Sequence, residues 1–117
     1  MSKGSSGSFS GTKGANKAFS EYPKTVHSGR QDKHIVGSNN YTSGRSIFSG
    51  TTRQAEQLIK EHSGTGQILG SNRERVDFGK QIGYYVDPQT NEKIPTTMGI
   101  IHYSKDGAHI VPARPKD

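Results

Sequence analysis

The chain of 117 residues contains no cysteine and no tryptophan. The absence of cysteine excludes disulfides, zinc–thiolate sites and thiol nucleophiles. No apolar run approaches the roughly 20 residues that a membrane-spanning helix needs. The N-terminus also lacks the apolar core of a signal peptide, so we expect either export by another route or a place within a longer protein.

Apolar residues are scarce, since only 27% of the chain is hydrophobic. The core must therefore be small, and most of it must come from the second half of the chain. Residues 1–20 hold six Ser and four Gly, and such a segment buries too little apolar surface to offset the entropy lost on ordering. We predict a flexible lead or linker over residues 1–20 and a single domain over residues 21–117.

Positive charge is in excess, with a formal net charge of +6. Residues 1–22 hold three Lys and one Glu, so +4 of the total belongs to residues 23–117. A basic surface favours nucleic-acid phosphates, anionic lipids or an acidic protein partner. A lipid surface is the least favoured of these, because the chain shows no basic amphipathic helix. Solubility alone is the alternative explanation.

The strongest local pattern is in residues 96–112, which read as two strands joined by an Asp106-Gly107 turn. This turn would place Ser104 opposite His109, and side chains would alternate between the two faces. The apolar face would carry Ile101, Tyr103, Ile110 and Pro112. The polar face would carry His102, Ser104 and His109, joined by Thr96 if no bulge intervenes. The polar face is a candidate site, and a solvated outer sheet face is the alternative.

One helix is predicted over residues 51–63, with a capping box from Thr51 to Gln54 and with Gly64 at its end. Residues 21–50 are too rich in glycine for a helix. Strands or strand-like pieces are expected at residues 25–27, 34–36, 75–79, 80–86 and 93–95, and a glycine-rich loop at residues 65–72. The predicted fold class is α+β, with one or two helices packed on a roughly four-stranded antiparallel sheet.

Histidine is the residue type that most suggests chemistry, because an imidazole pKa near 6.5 allows one ring to be neutral and another charged near pH 7. Besides His102 and His109, His34 follows Lys33 at the start of a strand-like piece. Arg45 stands just before an apolar anchor and could present its guanidinium to a phosphate. Each of these also has an ordinary packing or solvated role as its alternative. The sequence has no standard zinc, calcium, Walker or dinucleotide-binding pattern.

Several stretches resemble the bacterial polymorphic toxin type 50 domain. They are KHI, NY and GRS within residues 33–46, ERVDFG over residues 74–79 and GIIHYSKDGAHIVPA over residues 99–113. The resemblance spans about residues 30–114. It implies a ribonuclease of the barnase–EndoU–colicin–RelE-like class, in which two helices pack on a four-stranded antiparallel sheet and RNA lies across the open face. It also implies a delivered effector that acts in the target-cell cytoplasm, or alternatively a virion-associated phage domain.

On this resemblance we predict a metal-independent endoribonuclease that cleaves RNA by 2′-hydroxyl transesterification without a cofactor. His34 and His102 are the candidate acid–base pair, expected to converge on the open sheet face. The candidate phosphate-binding cations are Lys33, Arg45 and Lys80. The candidate donors to phosphate or base are Ser46, Thr96, Thr97, Ser104 and His109, and Tyr41 is the candidate platform for stacking a base.

We expect a monomer that binds RNA, with transfer RNA among the possible targets, and a cognate immunity protein as its protein partner. No membrane partner is expected. The competing reading is a non-catalytic module that shares the fold, either a basic nucleic-acid-binding domain or a phage structural piece. Only the enzyme would require ribose and leave 2′,3′-cyclic phosphate ends.

Overall fold

The computed structural model describes residues 22–36, 41 and 44–116. The predicted flexible segment over residues 1–20 lies outside these. Within the described part of the chain there are two helices, α1 (Ser28–Asp32) and α2 (Thr52–His62). The seven strands described are β1 (Ile47–Phe48), β2 (Gln67–Gly70), β3 (Arg73–Asp77), β4 (Gly83–Val86), β5 (Lys93–Thr96), β6 (Met98–Ser104) and β7 (Gly107–Pro112). The α+β prediction is confirmed.

The strands form two antiparallel sheets. A four-stranded sheet has the order β2-β3-β6-β7, and a three-stranded sheet has the order β1-β4-β5. The predicted four-stranded sheet with its packed helix is confirmed, whereas the second sheet was not foreseen. It arises because the chain leaves one sheet at Thr96 and re-enters the other at Met98, so β5 and β6 are neighbours in sequence but belong to different sheets.

Helix α2 begins and packs as its sequence indicates. Thr51 Oγ1 accepts a hydrogen bond from Gln54 N, and Gln54 Oε1 accepts one from Thr51 N, which completes the capping box. Its apolar side buries Ala55, Leu58 and Ile59 against the four-stranded sheet. We call the sheet face that packs on α2 the inner face. It carries Glu74, Val76, Ile101, Tyr103, Ala108 and Ile110.

The opposite side of the same sheet is the outer face. Alternation along β3, β6 and β7 gives it Arg73, Arg75, Ile100, His102, Ser104, His109 and Val111. These side chains are exposed or half-buried, in contrast to their buried neighbours in the chain. The predicted division of the β6–β7 hairpin into an apolar and a polar face is therefore confirmed.

The turn of that hairpin is nonetheless one residue earlier than predicted. It consists of Lys105 and Asp106, so that Ser104 pairs with Gly107 and His102 pairs with His109. A type I′ turn at Asp106-Gly107 would need positive φ at both positions, but Asp106 lacks it and Gly107 has φ +128°. Moving a two-residue turn by one position moves every cross-strand partner by two, and this preserves which face each side chain occupies.

The N-terminal stretch differs from its prediction. Residues 28–32 form helix α1 despite their glycine, because His27 Nδ1 accepts from Arg30 N and caps the first turn. Residues 34–36 form a turn and not a strand, and the strand-like character of residues 25–27 is limited to one bridge between Val26 and Ala108.

This stretch also covers the edge of the four-stranded sheet. The Gln31 side chain donates to Ile110 O and accepts from Ile110 N, and its residue is fully buried. Ala108 N donates to Thr25 O, and His27 N donates to Ala108 O. The outward backbone groups of Ala108 and Ile110 on β7 are thus satisfied within the chain. A side chain at Gly107 would come within 3.0 Å of the backbone of Thr25 and His27, so glycine is needed at this close approach.

One further strand was missed, and the starts of two others were misplaced. Residues 67–70 form strand β2 and not a loop, although Ile68 and Leu69 are both exposed and give no alternating pattern. Strand β3 starts at Arg73, two residues earlier than predicted, and β4 starts only at Gly83. The chain turns between them at Gly79, which has φ +77°.

Candidate functional site

Three imidazoles form a stack on the outer face. His102 and His109 are direct cross-strand partners, with ring centroids 4.9 Å apart and an interplanar angle of 17°. The ring of His34 stacks on His109 as well, at 6.2 Å and 19°. The chain therefore brings His34 and His102 into one cluster, with His109 as the ring that contacts both. We call these three residues the histidine stack.

His34 is held where the two sheets meet. Its backbone carbonyl accepts from Phe48 N of β1 at 2.7 Å, and its Nδ1 lies 2.8 Å from Ser46 O. A carbonyl oxygen can only accept, so Nδ1 carries the proton. In the neutral ring the lone pair is then on Nε2, which is the atom able to take a proton. His34 is only 4% exposed, so the expectation of an open position for this ring is wrong.

The pKa values of His34 and His102 both lie below the ordinary value for histidine. Burial is the main cause for His34, opposed by the hydrogen bond to Ser46 and reinforced by Arg45 and Lys33. Burial also dominates for His102, and the charges of Arg73 and His34 act in the same direction. Both rings therefore favour the neutral form near pH 7 when no ligand is present.

His109 is the most perturbed of the three. Burial, together with His102, His34, Arg30 and His27, lowers its pKa to about 3. Its Nδ1 is a buried polar atom without a hydrogen-bond partner in the described part of the protein. Buried polar atoms are nearly always paired in native proteins, so an unpaired one calls for an explanation.

The site contains two arginines that sequence reasoning missed. Arg30 Nη1 donates to Ser104 Oγ at 2.8 Å, and Arg73 is the cross-strand partner of His102. No local pattern marks either residue. Arg30 lies on a helix that was not predicted, and Arg73 reaches His102 only because β3 pairs with β6, a strand far along the chain. Arg30, Arg73, Lys33 and Arg45 all lower the pKa of one of the three histidines. Among the described residues, every charged group that shifts these three pKa values is basic.

The other sequence-predicted residues divide into those that the fold brings near the histidine stack and those that it does not. Lys33, Arg45 and Ser46 lie beside His34, and Ser104 lies on the outer face with His102. Tyr41 is half-buried, and none of the ring contacts found among the described residues joins it to the histidines.

Thr96, Thr97 and Lys80 are not brought to the histidine stack. Thr96 is buried in the three-stranded sheet, where its Oγ1 donates to Ala113 O at 2.7 Å, so the expectation that it shares a face with His102 is wrong. Thr97 links the two sheets and accepts from Phe78 N through its carbonyl. Lys80 follows the end of β3 that lies away from His102, and lines a separate cavity beside α2.

The arrangement suits an anion. Several cations surround three imidazoles whose pKa values are lowered. The positive charges repel one another and oppose protonation of the rings, and a bound anion would reduce that repulsion. Among the described residues, no group of three or more His, Asp or Glu side chains could hold a metal ion. In the same part of the chain, neither helix has the length and apolarity that crossing a membrane requires.

The family model described as Bacterial toxin 50 matches residues 26–112, which is well over half of the chain and includes the whole histidine stack. No curated protein matches the chain.

Proposed function

The chain belongs to the bacterial toxin 50 family, and on that premise we propose that this toxin domain is a metal-independent endoribonuclease that cleaves RNA by attack of a ribose 2′-hydroxyl. The observation that carries the proposal is the histidine stack: neutral imidazoles surrounded by cations on one sheet face. Such a cluster can bind a phosphodiester and exchange protons with it.

His34 is the proposed general base. Its Nδ1–H is engaged by Ser46 O, so Nε2 is the atom that accepts the proton of the 2′-hydroxyl. The resulting alkoxide attacks the neighbouring phosphorus and forms a 2′,3′-cyclic phosphate, while the 5′ oxygen of the next nucleotide leaves. His34 is the less accessible member of the pair, so its role needs a direct test by substitution.

His102 is the proposed general acid that gives a proton to the departing 5′ oxygen. In the free protein, burial and the charge of Arg73 keep its pKa low. A phosphodiester anion would raise that pKa, because an opposite charge nearby favours the protonated ring. Substrate binding would in this way supply the charged acid that the free protein does not hold.

The remaining groups would bind the phosphate. Arg30, Arg73 and Arg45 can place guanidinium groups around the phosphoryl oxygens, where they would stabilise the charge that develops during attack. His109 lies in contact with both proposed catalytic rings and would keep them in position, while Ser104 and Ser46 add hydroxyl groups. In this proposal Lys80, Thr96 and Thr97 have no contact with the scissile phosphate.

The test is incubation of the purified full chain with total RNA, with and without EDTA, followed by analysis of the product ends. We expect cleavage that EDTA does not inhibit and products that end in 2′,3′-cyclic phosphate. An all-deoxy strand of the same sequence should remain intact, because it lacks the attacking hydroxyl. Binding of RNA without any cleavage would instead favour the non-catalytic nucleic-acid-binding module.

Asparagine separates chemistry from structure at His34. In His34→Asn the side-chain amide can still donate to Ser46 O, but the proton acceptor at Nε2 is gone. We expect this variant to fold and to cleave RNA ~10²–10⁴-fold more slowly, the usual contribution of a general base. Cleavage at the original rate would remove His34 from the mechanism.

Membership of a toxin family also bears on partners and location. A producing cell needs protection from such a domain, and we propose an immunity protein with an acidic surface that covers the histidine stack and the cations around it. The site of action would be the cytoplasm of the target cell, where RNA is found. Neutralisation of the purified domain by a co-encoded small acidic protein would support this partner.

A further inference from the structure

A second basic site lies beside the outer face. A cleft of about 690 Å³ is lined by Arg75 of β3, Ile94 of β5 and the C-terminal residues Arg114, Pro115 and Lys116. We propose that this cleft binds a second phosphate of the RNA, one nucleotide from the phosphate held at the histidine stack. This inference rests on the proposed function and deepens it, because it makes the substrate a single strand longer than a dinucleotide.

The register of the sheet connects the cleft to the histidine stack. His109, His102 and Arg73 form one row of direct cross-strand partners. Arg75 is two residues along β3 from Arg73 and points to the same face, which makes it the diagonal neighbour of His102 at about 7–8 Å. That separation is comparable with one nucleotide of an extended chain. An RNA strand that runs obliquely across the sheet from His102 therefore reaches Arg75 with its next phosphate.

The wall of the cleft is fixed before any ligand binds. Arg75 Nη2 donates to Arg114 O at 2.8 Å. Ala113, one residue earlier, donates from its N to Met98 O at 2.9 Å and accepts at its O from Thr96 Oγ1 at 2.7 Å. These bonds hold the C-terminal segment against both sheets. They also give Thr96 a role that its buried position had left open, since it anchors the segment that carries Arg114 and Lys116.

The chemistry of the lining fits a nucleotide. Arg75, Arg114 and Lys116 contribute three positive charges, and the ion pair of Lys116 with Asp77 at 3.1 Å offsets one of them, so the net charge is +2. A guanidinium still has free N–H groups when one is engaged by a carbonyl, and its planar fork matches phosphate oxygens. Ile94 and Pro115 add apolar surface on which a sugar or base can lie.

The experiment neutralises one phosphate at a time. Oligoribonucleotides carry a single 2′-hydroxyl, so that they are cleaved at one position, and a neutral methylphosphonate replaces the phosphate one nucleotide to either side. For the unaltered protein we expect neutralisation on one side to lower kcat/KM about tenfold, the size of one charge-assisted contact. The double variant Arg114→Ala/Lys116→Ala should lose most of that sensitivity, because only Arg75 then remains in the cleft as a cation. Lys60→Ala, on the exposed side of α2, is the control and should keep it.

Two results would overturn the second phosphate site. One is equal sensitivity to methylphosphonate in the double variant and the unaltered protein. The other is a double variant that binds polyglutamate more weakly than the unaltered protein but cleaves the oligoribonucleotides with the same kcat/KM. That result would assign the cleft to an acidic protein.

Failure of the proposed function itself can be told apart from failure of the cleft. If no RNA is cleaved, the binding of an all-deoxy strand is measured by fluorescence anisotropy at several salt concentrations. The double variant should then reduce the salt slope by about 0.7 for one lost phosphate contact. An unchanged slope would overturn the second phosphate site independently of catalysis.

Discussion

The two faces of the four-stranded sheet both carry polar groups, but the faces differ in whether those groups have hydrogen-bond partners. On the inner face, Glu74 is fully buried, and its carboxylate accepts from Tyr103 Oη, Gly64 N and Gly66 N. On the outer face, a buried nitrogen of His109 has no hydrogen-bond partner among the residues that the structure describes, and cations surround the histidine stack. Polar groups with all their hydrogen bonds made stabilise a fold. An unpaired polar atom within a cluster of like charges instead indicates a place where a ligand binds.

The contrast is sharp because the two faces alternate along single strands. Arg73 and His102 point outward, while their chain neighbours Glu74 and Tyr103 point inward and bond to each other. The account therefore makes a divided prediction. Changes on the outer face should affect RNA cleavage with little effect on stability, and changes on the inner face should do the reverse.

The largest expected effect is on the outer face. His102→Gln removes the proposed acid, and we expect RNA cleavage to fall ~10²–10⁴-fold. The free energy of unfolding should change by less than about 1 kcal/mol, because the ring is only half-buried. Initial rates on a defined oligoribonucleotide and urea unfolding of the same preparation check both parts. A stability loss large enough to unfold the variant would contradict the division between the faces.

Glu74→Gln is the matching change on the inner face. The amide NH2 group replaces one carboxylate oxygen and leaves at least one of the three buried donors without an acceptor. We expect the free energy of unfolding to fall by about 3 kcal/mol. At a temperature where the variant is folded, its RNA cleavage rate should stay within a few-fold of the original. A selective loss of activity in the folded variant would place catalysis on the wrong face.

Stability should also depend on pH through the outer face. The pKa of His109 is lowered to about 3 in the folded protein, so between that value and about 6.5 the unfolded chain binds more protons than the folded one. Stability is therefore present above the unfolded pKa and is lost as pH falls, at up to about 1.4 kcal/mol per pH unit for this ring. Urea unfolding from pH 7 to pH 4 measures the slope. His109→Gln should reduce the slope, and the lowered pKa values of His34 and His102 account for what remains. An unchanged slope would contradict the assignment.

The smallest expected effect is electrostatic. The charge of Arg73 is one cause of the lowered pKa of His102, and Arg73→Gln removes it without emptying the position. We expect the pKa of His102 to rise toward its ordinary value, as followed by NMR titration of the imidazole protons. Lys60→Gln on α2 serves as a control with the same change of charge and should leave that pKa unmoved. A pKa that does not respond to Arg73→Gln would mean that the charge of Arg73 does not help to set it.

Much of this contrast was visible in the sequence. Alternation in residues 98–112 assigned His102, Ser104 and His109 to one face correctly even though the turn was misplaced, because a shifted two-residue turn preserves parity. The capping box of α2 was equally local and equally clear. Local patterns could be read because the residues that determine them are close in sequence.

The parts that failed depend on long-range pairing. Arg73 joins the site only through the pairing of β3 with β6, and no residue near it in sequence indicates that pairing. Thr96 lies away from the predicted site because the chain passes from one sheet to the other after it. The alternation of polar and apolar residues does not reveal this change of sheet. Strand β2 lies at a sheet edge with both apolar side chains exposed, so its pattern carries no period of two.

The most direct measurement uses one defined RNA in which a single ribose keeps its 2′-hydroxyl. The unaltered domain and the double variant His34→Asn/His102→Gln are compared in EDTA, after urea unfolding has shown that both are folded. The account predicts that the unaltered domain yields a 2′,3′-cyclic phosphate at that ribose and that the double variant yields none above background. An intact RNA with the unaltered domain, or equal cleavage by both proteins, would contradict it.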